Sequence, residues 1–244
     1  MKIQIPLLLV ALFQQISCYS QETTFLNRFH YPVKDTVAHK PSFYQVINPY
    51  SDSTIVKLYN LEKILLKEEV YFLEKGKEIY RKILEYDSIG NIVHHTKIDR
   101  KTNSENSVSY YPNGQLKSRH HYVNHEAVLE EYFDENGKPV KKPDEVLPSP
   151  NGGMKGWNKY LAKNLTYPKE ARKKRQEGIV YIWFRVDSDG SLRDPEIMNP
   201  EQVSPLLAKE ALRMIEEYPD RWSPGIKDGI PISVNMRMPI NFKL

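Results

Sequence analysis

By residue type, His120, His121 and His125 are the strongest candidates for metal chemistry, and the last two stand four apart, the spacing at which a helix presents two imidazoles to zinc. Their neighbours follow a strand pattern, in which residues four apart share a face but lie ~13 Å from each other. No shared ion, and hence no metal, is expected there. Asp187-Ser188-Asp189-Gly190 opens like a calcium loop but lacks the bidentate glutamate downstream, so it reads as a hairpin turn. Lys169, Arg172, Lys173, Lys174 and Arg175 concentrate charge suited to lipid headgroups or cell-wall polymer, or else form a solvated helix face. No Gly-x-Ser-x-Gly elbow, phosphate loop or dinucleotide fingerprint accompanies the serines. The expectation is a protein that binds, with no enzyme activity and no cofactor.

The bulk properties agree with a folded binding protein. Of the 244 residues, 40% are hydrophobic and 27% charged, enough apolar material for a core. Lysine and arginine number 35 against 31 acids, too small an excess to attract a nucleic acid through physiological salt.

The first twenty residues read as an export signal. Lys2 is followed by an apolar run from Ile3 to Phe13, broken only by Gln4, and Cys18-Tyr19-Ser20 places small residues three and one before Gln21. The run is about half of the ~20 residues that cross a bilayer. Cleavage after Ser20 leaves a periplasmic chain beginning at Gln21 and lacking cysteine. The alternatives are a lipoprotein carrying its lipid on Cys18, and an inner-membrane anchor.

Residues 21–55 show neither alternation nor helical spacing and are unassigned. Residues 56–142 carry a recurrent unit of aromatic, polar residues and glycine, in which Gly90, Gly114 and Gly137 stand 24 and 23 residues apart. Glycine at such intervals marks hairpin turns in stacked antiparallel units. The copies resemble the MORN-like repeats of the YwqK family, which implies an antiparallel sheet that binds or spaces. Pro143, Pro148 and Pro150 lead into Asn151-Gly152-Gly153, and residues 143–153 read as a linker with few contacts across it, so that the two halves fold independently.

Residues 154–244 have the pattern of an α+β domain. Met154, Trp157, Tyr160, Leu161 and Leu165 fall at helical spacing, and Pro168 opens a second short helix with Ala171 inward. Val180, Ile182, Phe184 and Val186 share one face of a strand, whose other face carries Tyr181 and Trp183, expected to be covered by the lead-in helix or else to serve a partner. A returning strand near 192–198 contains Pro195. Ser204-Pro205 starts a helix with Leu207, Ala211, Met214, Ile215 and Tyr218 on its buried stripe, and a last strand alternates from Ile232 to Phe242.

Five ordered elements carry a closer resemblance: Tyr167-Pro168-x-x-Ala171; Gly178 through Asp187-x-Asp189-Gly190; Ala211-Leu212; Trp222-x-Pro224-Gly225; and Pro239-Ile240-Asn241-Phe242. Together they resemble the TonB C-terminal domain. That resemblance implies a two-strand hairpin, a helix and a third strand behind a helical lead-in, a periplasmic location, and capture of the short TonB box of an outer-membrane transporter by strand addition. It points to the region of Ser233, Asn235 and Arg237 on the final strand, with Asn164, Thr166 and Tyr167 nearby. The membrane helix and long proline-rich span of a full energy transducer, which engage the ExbB and ExbD motor proteins, are not evident. The alternative is a cell-envelope scaffold or cell-wall-binding protein without a transport role.

Overall fold

Hairpin follows hairpin through the first half of the chain, in a computed structural model that describes residues 20–244. The export segment and Cys18 lie outside the described residues. Ten antiparallel strands occur in the sheet in chain order: β1 (Glu22–Leu26), β2 (Phe43–Pro49), β3 (Ser53–Asn60), β4 (Leu65–Glu74), β5 (Lys77–Tyr86), β6 (Ile92–Asp99), β7 (Ser104–Tyr110), β8 (Leu116–Val123), β9 (Glu126–Phe133) and β10 (Pro139–Val140). The unassigned stretch before residue 56 thus supplies β1, β2 and the start of β3. Its aromatics find partners across strands, as where Tyr44 stacks on Tyr59 at 5.1 Å, a pairing that spacing along one strand cannot reveal.

The recurrent glycines share one turn. At Asp87, Tyr111 and Asp134 the backbone N–H donates to the carbonyl four residues on, and Gly90, Gly114 and Gly137 donate back from φ of 91°, 82° and 79°. This is a type I turn closed by a left-handed residue, which glycine occupies without steric cost. His120 and His121 lie on opposite faces of β8, and His125 sits in the β8–β9 turn at φ 67°. Most side chains of this sheet are only half-buried, and it is held by cross-strand pairs such as Lys57–Glu68 at 3.2 Å.

The hydrophobic core lies in the second half. Helices α1 (Gly153–Asn164), α2 (Lys169–Lys173) and α3 (Pro205–Glu216) lie on a sheet of order β13-β12-β16, formed by β12 (Gly178–Val186), β13 (Leu192–Ile197) and β16 (Val234–Phe242). Alternation on β12 buries Val180, Ile182, Phe184 and Val186 completely against Trp157, Ala171, Leu207, Ala211 and Met214. Ser204 caps α3 by accepting the Leu206 N–H at 3.3 Å. Beside Pro195 the returning strand is irregular: Asp194 has φ 51° and the register slips between Trp183 and Arg185. The α+β arrangement of hairpin, helix and third strand behind a helical lead-in is therefore the one the sequence indicates.

Three expectations are corrected. The last strand is not continuous from Ile232: β15 (Ile230–Ile232) pairs with β14 (Gly225–Lys227), and Ser233 breaks the chain before β16. Residues 143–153 are not a free linker, because β11 (Glu145–Val146) pairs with β14 and Ser149 exchanges hydrogen bonds with Ser223 at 3.1 and 2.8 Å. Short extended segments between prolines retain enough N–H and C=O groups for such pairing. Nor does the lead-in helix cover Tyr181 and Trp183, since Trp157 carries it into the core on the opposite side of the sheet.

Gly190 uses the same turn in the C-terminal hairpin, at φ 84°, but a Cβ there would meet the Trp222 carbonyl oxygen at 2.1 Å. At Gly114, with φ 82°, nothing lies within 4 Å of that position. Gly114→Ala should therefore cost only the left-handed backbone strain, roughly 1–2 kcal/mol, and Gly190→Ala clearly more, as read by denaturant unfolding with circular dichroism. Equal losses would refute the Trp222 contact.

Asp189 in that turn accepts hydrogen bonds from Ser191 and an ion pair from Arg221 at 2.5 Å, which together hold its carboxyl well below its ordinary value of 3.8. The folded carboxyl binds its proton less tightly than the unfolded one, so this contribution is present above the ordinary value and is lost as pH falls through the lowered one. Stability should decline with acid below about pH 4, and Asp189→Asn should flatten that decline in denaturation midpoints measured from about pH 5 to about pH 2.

Candidate functional site

The site begins with the parity of β12. Tyr181 donates its N–H to the Asn199 side chain at 3.0 Å and accepts from the Met198 N–H at 2.9 Å, while Asn199 also donates to the Ile179 carbonyl at 2.9 Å. The backbone groups of Tyr181 are thus committed to the β13 side. Residues facing each other in an antiparallel pair alternate between bonded and non-bonded, and Tyr181 stands opposite Pro239 of β16. Val234, Met236, Met238 and Ile240 therefore bond to β12. Asn235, Arg237, Pro239 and Asn241 turn their backbone groups the other way.

That other way is open. Among the described residues β12 is the only strand neighbour of β16, so the N–H groups of Asn235, Arg237 and Asn241 and the carbonyls of all four residues point to a free edge. Pro239 sits at a position where its missing N–H costs the sheet nothing, which accounts for a proline in the middle of a nine-residue strand. The side chains alternate as well. Met238, Ile240 and Phe242 are buried in the core, and Asn235, Arg237, Pro239 and Asn241 are exposed on the outer face.

The six residues singled out in the sequence form two groups. Asn235 and Arg237 lie on the outer face of β16, opposite Arg185 and Trp183. Ser233 is tied into the turn after β12, accepting from the Ser188 N–H at 3.2 Å and donating to Asp187 at 3.4 Å. Asn164, Thr166 and Tyr167 occupy the α1–α2 connection at the far end of the strand, where the Tyr167 ring meets Phe242 edge-on at 5.8 Å. Asn235 and Phe242 are seven residues apart on β16, roughly 23 Å at strand rise, so the two groups flank one edge and share no pocket.

The connection is locked in place. Thr166 donates its N–H to Glu210 at 2.7 Å, the Asn164 carbonyl accepts from Arg213 at 2.8 Å, and the Tyr167 hydroxyl donates to the Gln176 carbonyl. Glu210 and Glu217 hold the Arg213 guanidinium charged and raise its pKa further. Among the described residues no group of three or more His, Cys, Asp or Glu side chains is placed to hold a metal ion. No helix among them is long and apolar enough to cross a membrane.

The outer face of β12 is occupied by a segment that sequence reasoning left unassigned. Residues 27–35, between β1 and β2, lie across it: Phe29 meets Trp183 with ring centroids 6.0 Å apart, and Tyr31 meets Tyr181 at 6.0 Å. Arg28 stacks over the Trp183 ring at 5.0 Å and pairs with Glu196 of β13. The Asn27 side chain donates to the Met198 carbonyl at 2.8 Å. The only signal for this in the sequence is an aromatic-rich segment, Phe29-His30-Tyr31, and a strand with aromatics on its second face, about 150 residues later.

Residues 163–244 match the family model described as Gram-negative bacterial TonB protein C-terminal. Over 78 residues the chain is 32% identical to Protein TonB of Vibrio cholerae serotype O1, which covers 32% of this chain and 31% of that protein. The chain thus spans about a third of the length of the curated relative it matches. The solution structure of the Helicobacter pylori TonB C-terminal domain is 22% identical and covers 39% of this chain and 83% of that one, with a TM-score of 0.30. Residues 163–244 thus match the TonB C-terminal domain family, and in this chain they follow a ten-stranded antiparallel sheet.

Proposed function

We propose that this protein acts by binding and not by catalysis, capturing an extended peptide of an outer-membrane transporter, its TonB box, by strand addition along β16 in association with TonB-dependent transport. The observation that supports this is the free edge itself: three N–H and four C=O groups of one straight strand, aimed outward with register pinned by the buried Met238, Ile240 and Phe242. Affinity comes from the backbone pairing, and selection from the exposed Asn235 and Arg237 beside it. The exported chain works in the periplasm, and the ten-stranded sheet spaces or positions the binding domain.

Proline placement tests the edge. Asn235→Pro removes a donor that faces outward and leaves every bond to β12 in place, so the fold should survive while affinity for a TonB-box peptide falls about three- to tenfold, the worth of one hydrogen bond. Asn235→Ala keeps the N–H and should bind within about twofold of the parent. Met236→Pro removes a donor that serves β12, and its thermal midpoint should drop where that of Asn235→Pro barely moves. Titration calorimetry and circular dichroism read both. Folded Asn235→Pro protein that binds the peptide as tightly as the parent excludes strand addition here, and the envelope-scaffold reading then stands in its place.

A further inference from the structure

The segment 27–35 is fixed to the C-terminal domain at three places along its length. Asn27 reaches the carbonyl of Met198 at its start. Arg28, Phe29 and Tyr31 lie over Glu196, Trp183 and Tyr181 in the middle. At its end the Glu201 carboxylate accepts from the N–H groups of Lys34 at 2.7 Å and Asp35 at 3.2 Å. Val33, within the segment, is buried. Polar contacts at both ends and tilted ring pairs between them make a specific seat, one that fixes where each ring lies.

The position of Tyr31 brings this segment to the open edge. Its ring lies against Tyr181, which stands opposite Pro239, two residue pairs along from Arg237 opposite Trp183 and on the same face of the sheet. Arg237 lies diagonally across from Tyr181 on the same outer face, within reach of a long side chain. Burial and Tyr181 raise the Tyr31 pKa, and the charge of Arg237 lowers it against them. Arg237 itself is exposed. A visiting strand lies about 4.8 Å beyond β16, and its outward side chains opposite Arg237 and Pro239 would pass beside this pair.

We infer that the strap of residues 27–35, which lies between the first two strands of the N-terminal sheet, completes the outer wall of the peptide edge by seating Tyr31 against Tyr181, diagonally across from Arg237, so that both halves of the protein take part in peptide selection. This rests on strand addition at β16. Tyr31 is a positioning residue: it restricts the directions open to the Arg237 side chain and so sets which side chains of a visiting strand that cation can meet. The chemistry favours a peptide whose outward residue at this level carries a carboxylate or an amide oxygen.

The test uses the full chain and a TonB-box peptide in titration calorimetry. Tyr31→Ala should weaken binding about three- to tenfold, Arg237→Ala likewise, and the double variant should lose less than the product of the two, because each acts through the other. Tyr31→Phe, which keeps the ring, should recover most of the affinity. Glu201→Ala loosens the strap far from the edge and should also weaken binding, and it covers the case in which Tyr31→Ala fails to fold. If the parent and Asn235→Pro differ as expected while Tyr31→Ala and Glu201→Ala bind like the parent, the role of the strap is overturned and the edge stands. If the parent binds no such peptide, strand addition falls first and the role of the strap falls with it.

Discussion

A central strand with apolar side chains on both faces must be covered twice, and β12 is such a strand. Its inner face, with Val180, Ile182, Phe184 and Val186 fully buried, draws α1, α2 and α3 into one core. Its outer face carries Tyr181 and Trp183, whose rings would expose a large apolar area if left bare. A lone three-stranded sheet with helices on one side has nothing of its own to cover them. The strap does so, and the cover comes from a segment about 150 residues earlier in the chain. This one requirement ties the two halves of the protein together more directly than the chain between them does.

The same strand decides what β16 can offer. Once Asn199 and Met198 claim the backbone groups of Tyr181, hydrogen-bond parity assigns every residue of β16 either to the sheet or to solvent. Side-chain alternation assigns the same residues to the core or the outer face. The two alternations coincide, so the residues whose backbone is free are also the ones whose side chains are exposed. A strand added at this edge would thus meet donors, acceptors and exposed side chains at the same positions, while the intervening residues hold β16 to the core.

Much of the C-terminal domain is legible in the sequence because its signals are local. The alternation of β12, the Ser204-Pro205 start of α3 and the Asp187-Ser188-Asp189-Gly190 turn each need only a few neighbouring residues to be recognised. The glycine turns of the long sheet are legible for the same reason. The break at Ser233 is not, because Ile232 and Val234 continue a perfect alternation, and only the turn after β12 captures the intervening hydroxyl. The pairing of β11 with β14 and the seating of the strap depend on contacts across about 80 and about 150 residues, which no periodicity reports. Asn235 and Arg237 can be placed on the exposed face of the last strand from its alternation alone, whereas the contacts of Asn199 and Tyr31 become visible only once the strands are in register.

An open edge strand carries a hazard, since whatever pairs with a partner peptide can pair with another copy of itself. Two features of β16 limit that. Pro239 supplies no donor, and it stands among the outward-facing residues, so a long continuous ladder with a second β16 has a gap in its centre. Arg237 projects beside the same stretch, and an antiparallel copy paired about that point would bring two guanidinium groups together without an acid between them. A peptide shorter than the strand, or one with an acceptor opposite Arg237, avoids both penalties. Under the proposed strand addition, the residues that discourage self-association are therefore also those that would discriminate among visitors, and the strap covers Trp183, the residue opposite Arg237.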